Sequence, residues 1–134
     1  MFKVVLDTNV TLAAYLTKGA AARIIEAWAA GKFELLISEE IAREYLRIFL
    51  SQNINPVLAA QFSNDLNLYA TLIKPKTSLY LVKADPADDK FFECALEGGA
   101  KYIVSNDKHL LKVGEFKSIS VLSVQSFLRL IETK

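Results

Sequence analysis

A chain of 134 residues with 16 basic and 15 acidic side chains, net charge +1, is long enough to bury one hydrophobic core and lacks the strongly basic balance of many nucleic-acid binders. Its one cysteine, Cys94, excludes an intramolecular disulfide and a multi-cysteine zinc site and is expected to fill core space in a reducing cytoplasm. The amino terminus carries no basic-then-apolar signal pattern, and no apolar run approaches the ~20 residues of a membrane span, so a cytoplasmic protein outside the membrane is expected. Without repeats or Pro/Gly-rich linkers, residues 1–134 read as a single domain.

The apolar, β-branched run Phe2-Lys3-Val4-Val5-Leu6 predicts a buried first strand that ends in Asp7-Thr8-Asn9. Short helical patterns follow over Thr11 to Leu16 and Ala20 to Ala30, with Ile24, Ile25 and Trp28 inward and Gly31 as a stop. Phe33 to Ile37 is the expected second strand. Ser38 can cap a helix to about Ser51, with Ile41, Tyr45, Ile48 and Phe49 as its apolar stripe. Pro56 opens another helix, expected to run to about Ile73. Leu79 to Val82 predicts a third strand, Asp88 to Glu97 a helix stopped by Gly98-Gly99, Tyr102 to Val104 a fourth strand and Ile119 to Leu122 a fifth, before a closing helix. Alternating strands and helices imply parallel strands with right-handed crossovers, hence a three-layer α/β/α sandwich around a mainly parallel sheet of about five strands.

The acids fall where that architecture gathers them. Asp7 follows the first strand, and Ser105-Asn106-Asp107 repeats the same design after Tyr102-Ile103-Val104. In open parallel sheets, ligands bind outside the carboxyl ends of the strands. Asp88 stands three, four and seven residues before Phe91, Phe92 and Ala95, so helical phase directs it toward the sheet and turns Asp89 to the flank. Glu44 lies on the margin of its helix's apolar stripe, placed to reach inward, whereas Glu39 and Glu40 sit in a first turn, where acids suit the helix dipole. Each aspartate alone also reads as ordinary helix-start chemistry. Together they weaken that reading, because like charges crowded in a partly desolvated crevice call for a cation. Oxygen ligands without a histidine or cysteine cluster suit Mg²⁺ or Mn²⁺ rather than zinc.

At these residues the chain resembles the PIN-domain nucleases, and within them a prokaryotic subgroup assigned to the toxins of toxin–antitoxin pairs. The resemblance spans essentially the whole chain and is carried by Val4-Val5-Leu6-Asp7-Thr8-Asn9, Ile41-Ala42-Arg43-Glu44-Tyr45, Asp85-Pro86-Ala87-Asp88-Asp89-Lys90-Phe91, and Gly99-Ala100 through Tyr102-Ile103-Val104 to Ser105-Asn106-Asp107. Asp107-Lys108-His109-Leu110-Leu111 adds to the likeness to that subgroup. It implies an acidic quartet of Asp7, Glu44, Asp88 and Asp107, with Asn9 and Ser105 as polar supports; Asp89 is the alternative third acid and Asp85 a further supporting one. It also implies metal-dependent hydrolysis of RNA phosphodiesters, one or two Mg²⁺ or Mn²⁺ ions, an antitoxin partner and a homodimer.

Arg43, Arg47, Lys90, Lys108 and Lys112 flank the acids in sequence and are candidates for phosphate contacts, with a solvated helix face as the alternative for each. The two halves of the chain carry −1 and +2, and neutralising the quartet would leave +5. His109 reads as a surface or capping residue, and Trp28 and the other aromatics as core packing rather than a base-stacking platform. Two alternatives stay open: a PIN-like binding module without nuclease activity, and a flavodoxin-like phospho-acceptor domain. Against the latter, Leu122-Ser123-Val124 offers no lysine after the fifth strand.

Overall fold

A computed structural model describes residues 1–83 and 85–132 of the chain. It is a three-layer α/β/α sandwich with six strands and seven α-helices among the described residues. The strands are β1 (Phe2–Leu6), β2 (Phe33–Ser38), β3 (Thr71–Ile73), β4 (Tyr102–Val104), β5 (Glu115–Phe116) and β6 (Ile119–Leu122). The helices are α1 (Thr8–Leu16), α2 (Ala20–Ala29), α3 (Glu39–Ser51), α4 (Pro56–Tyr69), α5 (Asp89–Gly98), α6 (Lys108–Val113) and α7 (Val124–Glu132), with a 3-10 turn at Pro86–Asp88.

The sheet runs β3-β2-β1-β4-β6-β5, parallel except for the β5–β6 pair. β1 lies inside it, pairing with β2 on one side and β4 on the other, and its Val4, Val5 and Leu6 are wholly buried. Such burial on both faces is the fate of a continuous apolar strand under two helical layers. α2 and α7 pack on one face, α3 and α5 on the other, and α1 bridges to both α2 and α3. The chain first builds outward from β1 through β2 to β3, then returns to β1's other side with β4. The order reverses between β1 and β4, so a crevice opens beside the carboxyl ends of these two strands.

Three elements differ from the sequence expectation, each for a local reason. The helix opened by Pro56 ends at Tyr69, and Thr71–Ile73 becomes the edge strand β3. Ala70 adopts extended dihedrals after closing the last turn onto the Leu66 carbonyl, and the β-branched Thr71 and Ile73 then pair alongside Leu36 to Ser38. The run Leu79 to Val82, expected as the third strand, joins no sheet. Its backbone N–H groups donate instead to side chains of α5: Leu79 to Glu93 Oε2 at 2.8 Å, Leu81 and Val82 to Asp89 Oδ1 at 3.0 and 2.7 Å. The sixth strand, β5, is a two-residue partner of β6 across a tight turn in which Lys117 and Ser118 both take positive φ, at 46° and 70°. That turn normally selects Asn-Gly or Gly-Gly, so Lys-Ser gives no sequence signal for it.

The expected stops hold. Gly99, at φ 71°, ends α5 in the left-handed region that glycine enters without a Cβ penalty. Gly98 is fixed by space, since a Cβ there would stand 2.5 Å from Leu36 Cδ1. Trp28 and most of the aromatics pack within the protein, whereas Tyr80 and Tyr69 are exposed: Phe49 stacks on Phe62 at 4.6 Å between ring centroids, and Trp28 meets Tyr69 edge-on at 6.3 Å. Among the described residues, no helix is long and apolar enough to cross a membrane.

Candidate functional site

Asp7 follows β1 with extended dihedrals and stays in register, its N–H donating to the Val104 carbonyl at 3.0 Å. Its backbone carbonyl starts α1 by accepting from Val10 and Thr11, but its side chain makes no capping bond. The carboxylate turns to the neighbouring strand end, where the buried Ser105 hydroxyl donates to Oδ2 at 2.7 Å. Asp7 is 7% exposed. Burial pushes its carboxyl above the ordinary value; hydrogen bonds from Ser105 and the Thr8 backbone oppose this, and the charges of Asp107 and Glu44 add to it.

Ser105 joins the two strand ends. Its own N–H extends the ladder to Leu122 O at 2.9 Å, and its hydroxyl oxygen accepts from Asp107 N at 2.9 Å. One hydroxyl thus fixes the Asp7 side chain and the Asp107 backbone together. Asp107 does cap its helix: Oδ1 accepts from His109 N at 2.7 Å and Leu110 N at 3.4 Å. The cap alone does not account for its placement, since its charge acts on Asp7 and Asp88 across the crevice. Asn106 Oδ1 caps α7 by accepting from Val124 N at 3.0 Å.

Asp88 ends the 3-10 turn and immediately precedes α5, with no capping bond from its side chain. Burial and the charges of Asp7, Asp85 and Asp107 raise its carboxyl to about 6, partly offset by Lys90. The next residue behaves differently. Asp89 is buried and holds the N–H groups of Leu81 and Val82, so its oxygen is spent on anchoring residues 79–83. Of the paired acids, Asp88 is therefore the one on whose carboxyl the charge of Asp7 acts. Asp85 caps the 3-10 turn through Ala87 N at 3.1 Å and adds negative charge near Asp88.

Glu44 reaches the crevice from α3. Its Oε2 accepts from the buried Thr8 hydroxyl, and its Oε1 lies 2.7 Å from Lys90 Nζ and 3.9 Å from Arg47. Thr8 is a residue that sequence reasoning missed; a threonine beside the first aspartate carries no separate pattern. Tyr45, fully buried, donates its hydroxyl to the Leu6 carbonyl and so ties α3 to the peptide just before Asp7.

The expected phosphate contacts separate on burial. Arg43 and Arg47 are exposed and paired with Glu39 and Glu44 at 3.8 and 3.9 Å. Lys108 is exposed in the first turn of α6, and Lys112 lines a groove of about 330 Å³ with Lys83 and His109. Lys90 is 5% exposed and committed to Glu44, so its own ammonium is not available to a phosphate. Asn9 is exposed and shares a cavity of about 430 Å³ with Asp7, Asn106, Asp107 and Gln125. This cavity lies toward α1, α2 and α7, while Glu44 and Asp88 belong to the opposite helical layer. Cys94 is buried, and burial pushes its thiol up to about 12.

The structure thus joins Asp7 to Asp107 through Ser105 and sets Glu44 and Asp88 near enough for their charges to act on, or be acted on by, that pair. Among the described residues no three His, Cys, Asp or Glu side chains close into a ready-made coordination cluster. The donor set nonetheless fits a hydrated hard cation. It is all oxygen, and two of its carboxyls are driven upward by burial and mutual repulsion, a tension that a divalent ion relieves. Mg²⁺ keeps several waters and needs only one or two direct carboxylates, so spaced acids match it better than a closed cage.

Residues 3–109 match the sequence model described as PIN domain. No curated protein matches the chain in sequence. Among solved structures, the fold is similar to PAE2754 from Pyrobaculum aerophilum (TM-score 0.67, 12% identity, 99% of this chain and 97% of that one). It is also similar to VapBC2 from Rickettsia felis, solved bound to a DNA fragment from their promoter (0.65, 13%, 91% and 98%). A further similarity is to FitAcB from Neisseria gonorrhoeae (0.52, 13%, 91% and 98%).

Proposed function

The chain belongs to the PIN-domain family, and from that premise we propose that it is a Mg²⁺- or Mn²⁺-dependent endoribonuclease, the toxin of a toxin–antitoxin pair. The observation that carries this reading is the pairing of Asp7 and Asp107 through one buried hydroxyl, with Asp88 facing them and its carboxyl raised by their charges. Asp7, Asp88 and Asp107 hold the ion, directly or through water. When bound, the divalent cation supplies charge neutralisation for the phosphoryl oxygens and acidifies the attacking water.

The chain's own groups do the positioning. Ser105 holds the Asp7 carboxylate at the neighbouring strand end, and it holds the Asp107 backbone in place. Glu44, clamped by Thr8 and Lys90, orients the attacking water. Asn9, at the rim of the adjoining cavity, donates to a substrate phosphate, and the exposed Lys108, Arg43 and Arg47 contact the RNA backbone on either side. The similarity to VapBC2 and FitAcB supports a protein antitoxin partner; it covers the acidic crevice, and a homodimer completes the assembly.

The reading is tested by incubating labelled RNAs of varied sequence with the protein in Mn²⁺, Mg²⁺ or EDTA. Endonucleolytic products that require the metal are expected; no metal-dependent cleavage across a broad panel refutes the nuclease. Growth arrest on expression, relieved by co-expression of a neighbouring small reading frame, tests the toxin role.

A further inference from the structure

The acidic crevice contains a cation of the protein's own. Lys90 is 5% exposed, a burial that lysine tolerates only with partners. Its Nζ lies 2.7 Å from Glu44 Oε1, donates to the Ala87 carbonyl, and stands 5.1 Å from the centroid of the Phe91 ring. The other oxygen of Glu44 is taken by the Thr8 hydroxyl. Both ends of this carboxylate are therefore claimed from neighbouring helices. The bond to Ala87 also closes back onto the 3-10 turn Pro86–Asp88, the segment that delivers Asp88. A single side chain thus links the acid of α3 to the turn that carries the acid facing Asp7.

We propose that Lys90 is a positioning residue and a permanent countercharge for Glu44, standing where a second divalent cation would otherwise be needed, so that the centre takes one ion on its Asp7, Asp88 and Asp107 side. A metal competing for Glu44 would have to strip the carboxylate from a buried ammonium and leave that charge unpaired, which is costly in a desolvated site. A role for Lys90 in gripping RNA is opposed by the same burial. The proposal rests on the metal-dependent reading above, and its test separates the two.

Mn²⁺ titration by calorimetry and melting in EDTA are compared for the wild type, Lys90→Arg, Lys90→Met and the double variant Lys90→Met/Glu44→Gln. Wild type and Lys90→Arg are expected to take up one Mn²⁺. Lys90→Met, with Glu44 left uncompensated, is expected to melt roughly 10 °C lower in EDTA, and a second Mn²⁺ then restores most of that loss. The double variant, with both charges removed, should melt within about 3 °C of wild type and bind a single ion. Wild-type stoichiometry and an unchanged Mn²⁺-induced shift in Lys90→Met overturn the proposal, as does a wild type that takes up two ions. If Lys90→Met does not fold, the double variant decides: melting near wild type supports the countercharge, and melting far below it overturns the role. A wild type that binds no Mn²⁺ refutes the metal reading instead, and the EDTA melting temperatures still judge the pairing of Lys90 with Glu44.

Discussion

Replacing Asp88 with Asn should stabilise the metal-free protein at neutral pH. Burial and the charges of Asp7, Asp85 and Asp107 raise the Asp88 carboxyl from 3.8 to about 6. A displacement of about two units corresponds to about 3 kcal/mol if fully expressed. Asp88 is only half-buried, so solvent screening reduces this to about 1.5 kcal/mol. An acid whose folded value lies above its unfolded value holds more protons in the folded state. Wild-type stability therefore falls as pH rises through roughly 4 to 6, and the whole penalty is present above that window. Asn carries no such penalty, and because Asp88 makes no side-chain capping bond the substitution removes none. In EDTA, Asp88→Asn should melt about 5 °C above wild type at pH 7.5 and within about 1 °C of it at pH 4, by differential scanning calorimetry. Saturating Mn²⁺ should reverse the order, because only the intact site gains stability from the ion. A variant that melts at or below wild type in EDTA at pH 7.5, or a difference that does not change with pH, refutes the picture of mutually repelling acids.

Ser105→Ala removes a bond to a buried carboxylate and leaves the Asp107 N–H without its acceptor, so chemical denaturation should show a loss of about 2 kcal/mol. Because the Ser105 bond opposes the upward push of burial on the Asp7 carboxyl, the variant's metal-free stability should also fall more steeply than wild type's as pH rises above the ordinary carboxylate range. Asp89→Ala strands the N–H groups of Leu81 and Val82; a loss of about 3 kcal/mol and faster tryptic cleavage after Lys83 are expected. Tyr45→Phe deletes the bond to the Leu6 carbonyl and should cost about 1 kcal/mol in the same denaturation experiment.

Much of the architecture was legible because burial leaves a plain imprint on composition. β1 is apolar on both faces over Val4-Val5-Leu6, and its sheet neighbours β2 and β4 show the same character, so these strands, though not their order, could be read from sequence. The edges could not. β3 is three residues long at the end of a helical pattern, and β5 is two residues long beside a turn without glycine. The apolar run Leu79 to Val82 read as a strand, but the hydrogen-bond partners of its backbone are carboxylates of α5 rather than a neighbouring strand, a choice that composition does not reveal. Helical phase placed Asp88 inward and Asp89 on the flank, but α5 begins only at Asp89, and the structure reverses their burial: Asp89 is buried and holds the segment before the helix, while Asp88 stays half-buried in the 3-10 turn with the charge of Asp7 acting on it. Lys90 illustrates the opposite case, since a lysine among acids reads equally as a surface cation or a buried partner until its 5% exposure is known.

The central claim is that Asp7 anchors a divalent-metal centre, and the most direct measurement is Mn²⁺ binding to wild type and Asp7→Asn by calorimetry at pH 7.5, with circular dichroism as the control for folding. Asn keeps the size and can still accept the Ser105 bond, so the fold should persist while Mn²⁺ affinity falls by about 100-fold or more, roughly 2.7 kcal/mol. Wild-type Mn²⁺ affinity in a folded Asp7→Asn protein would contradict the account.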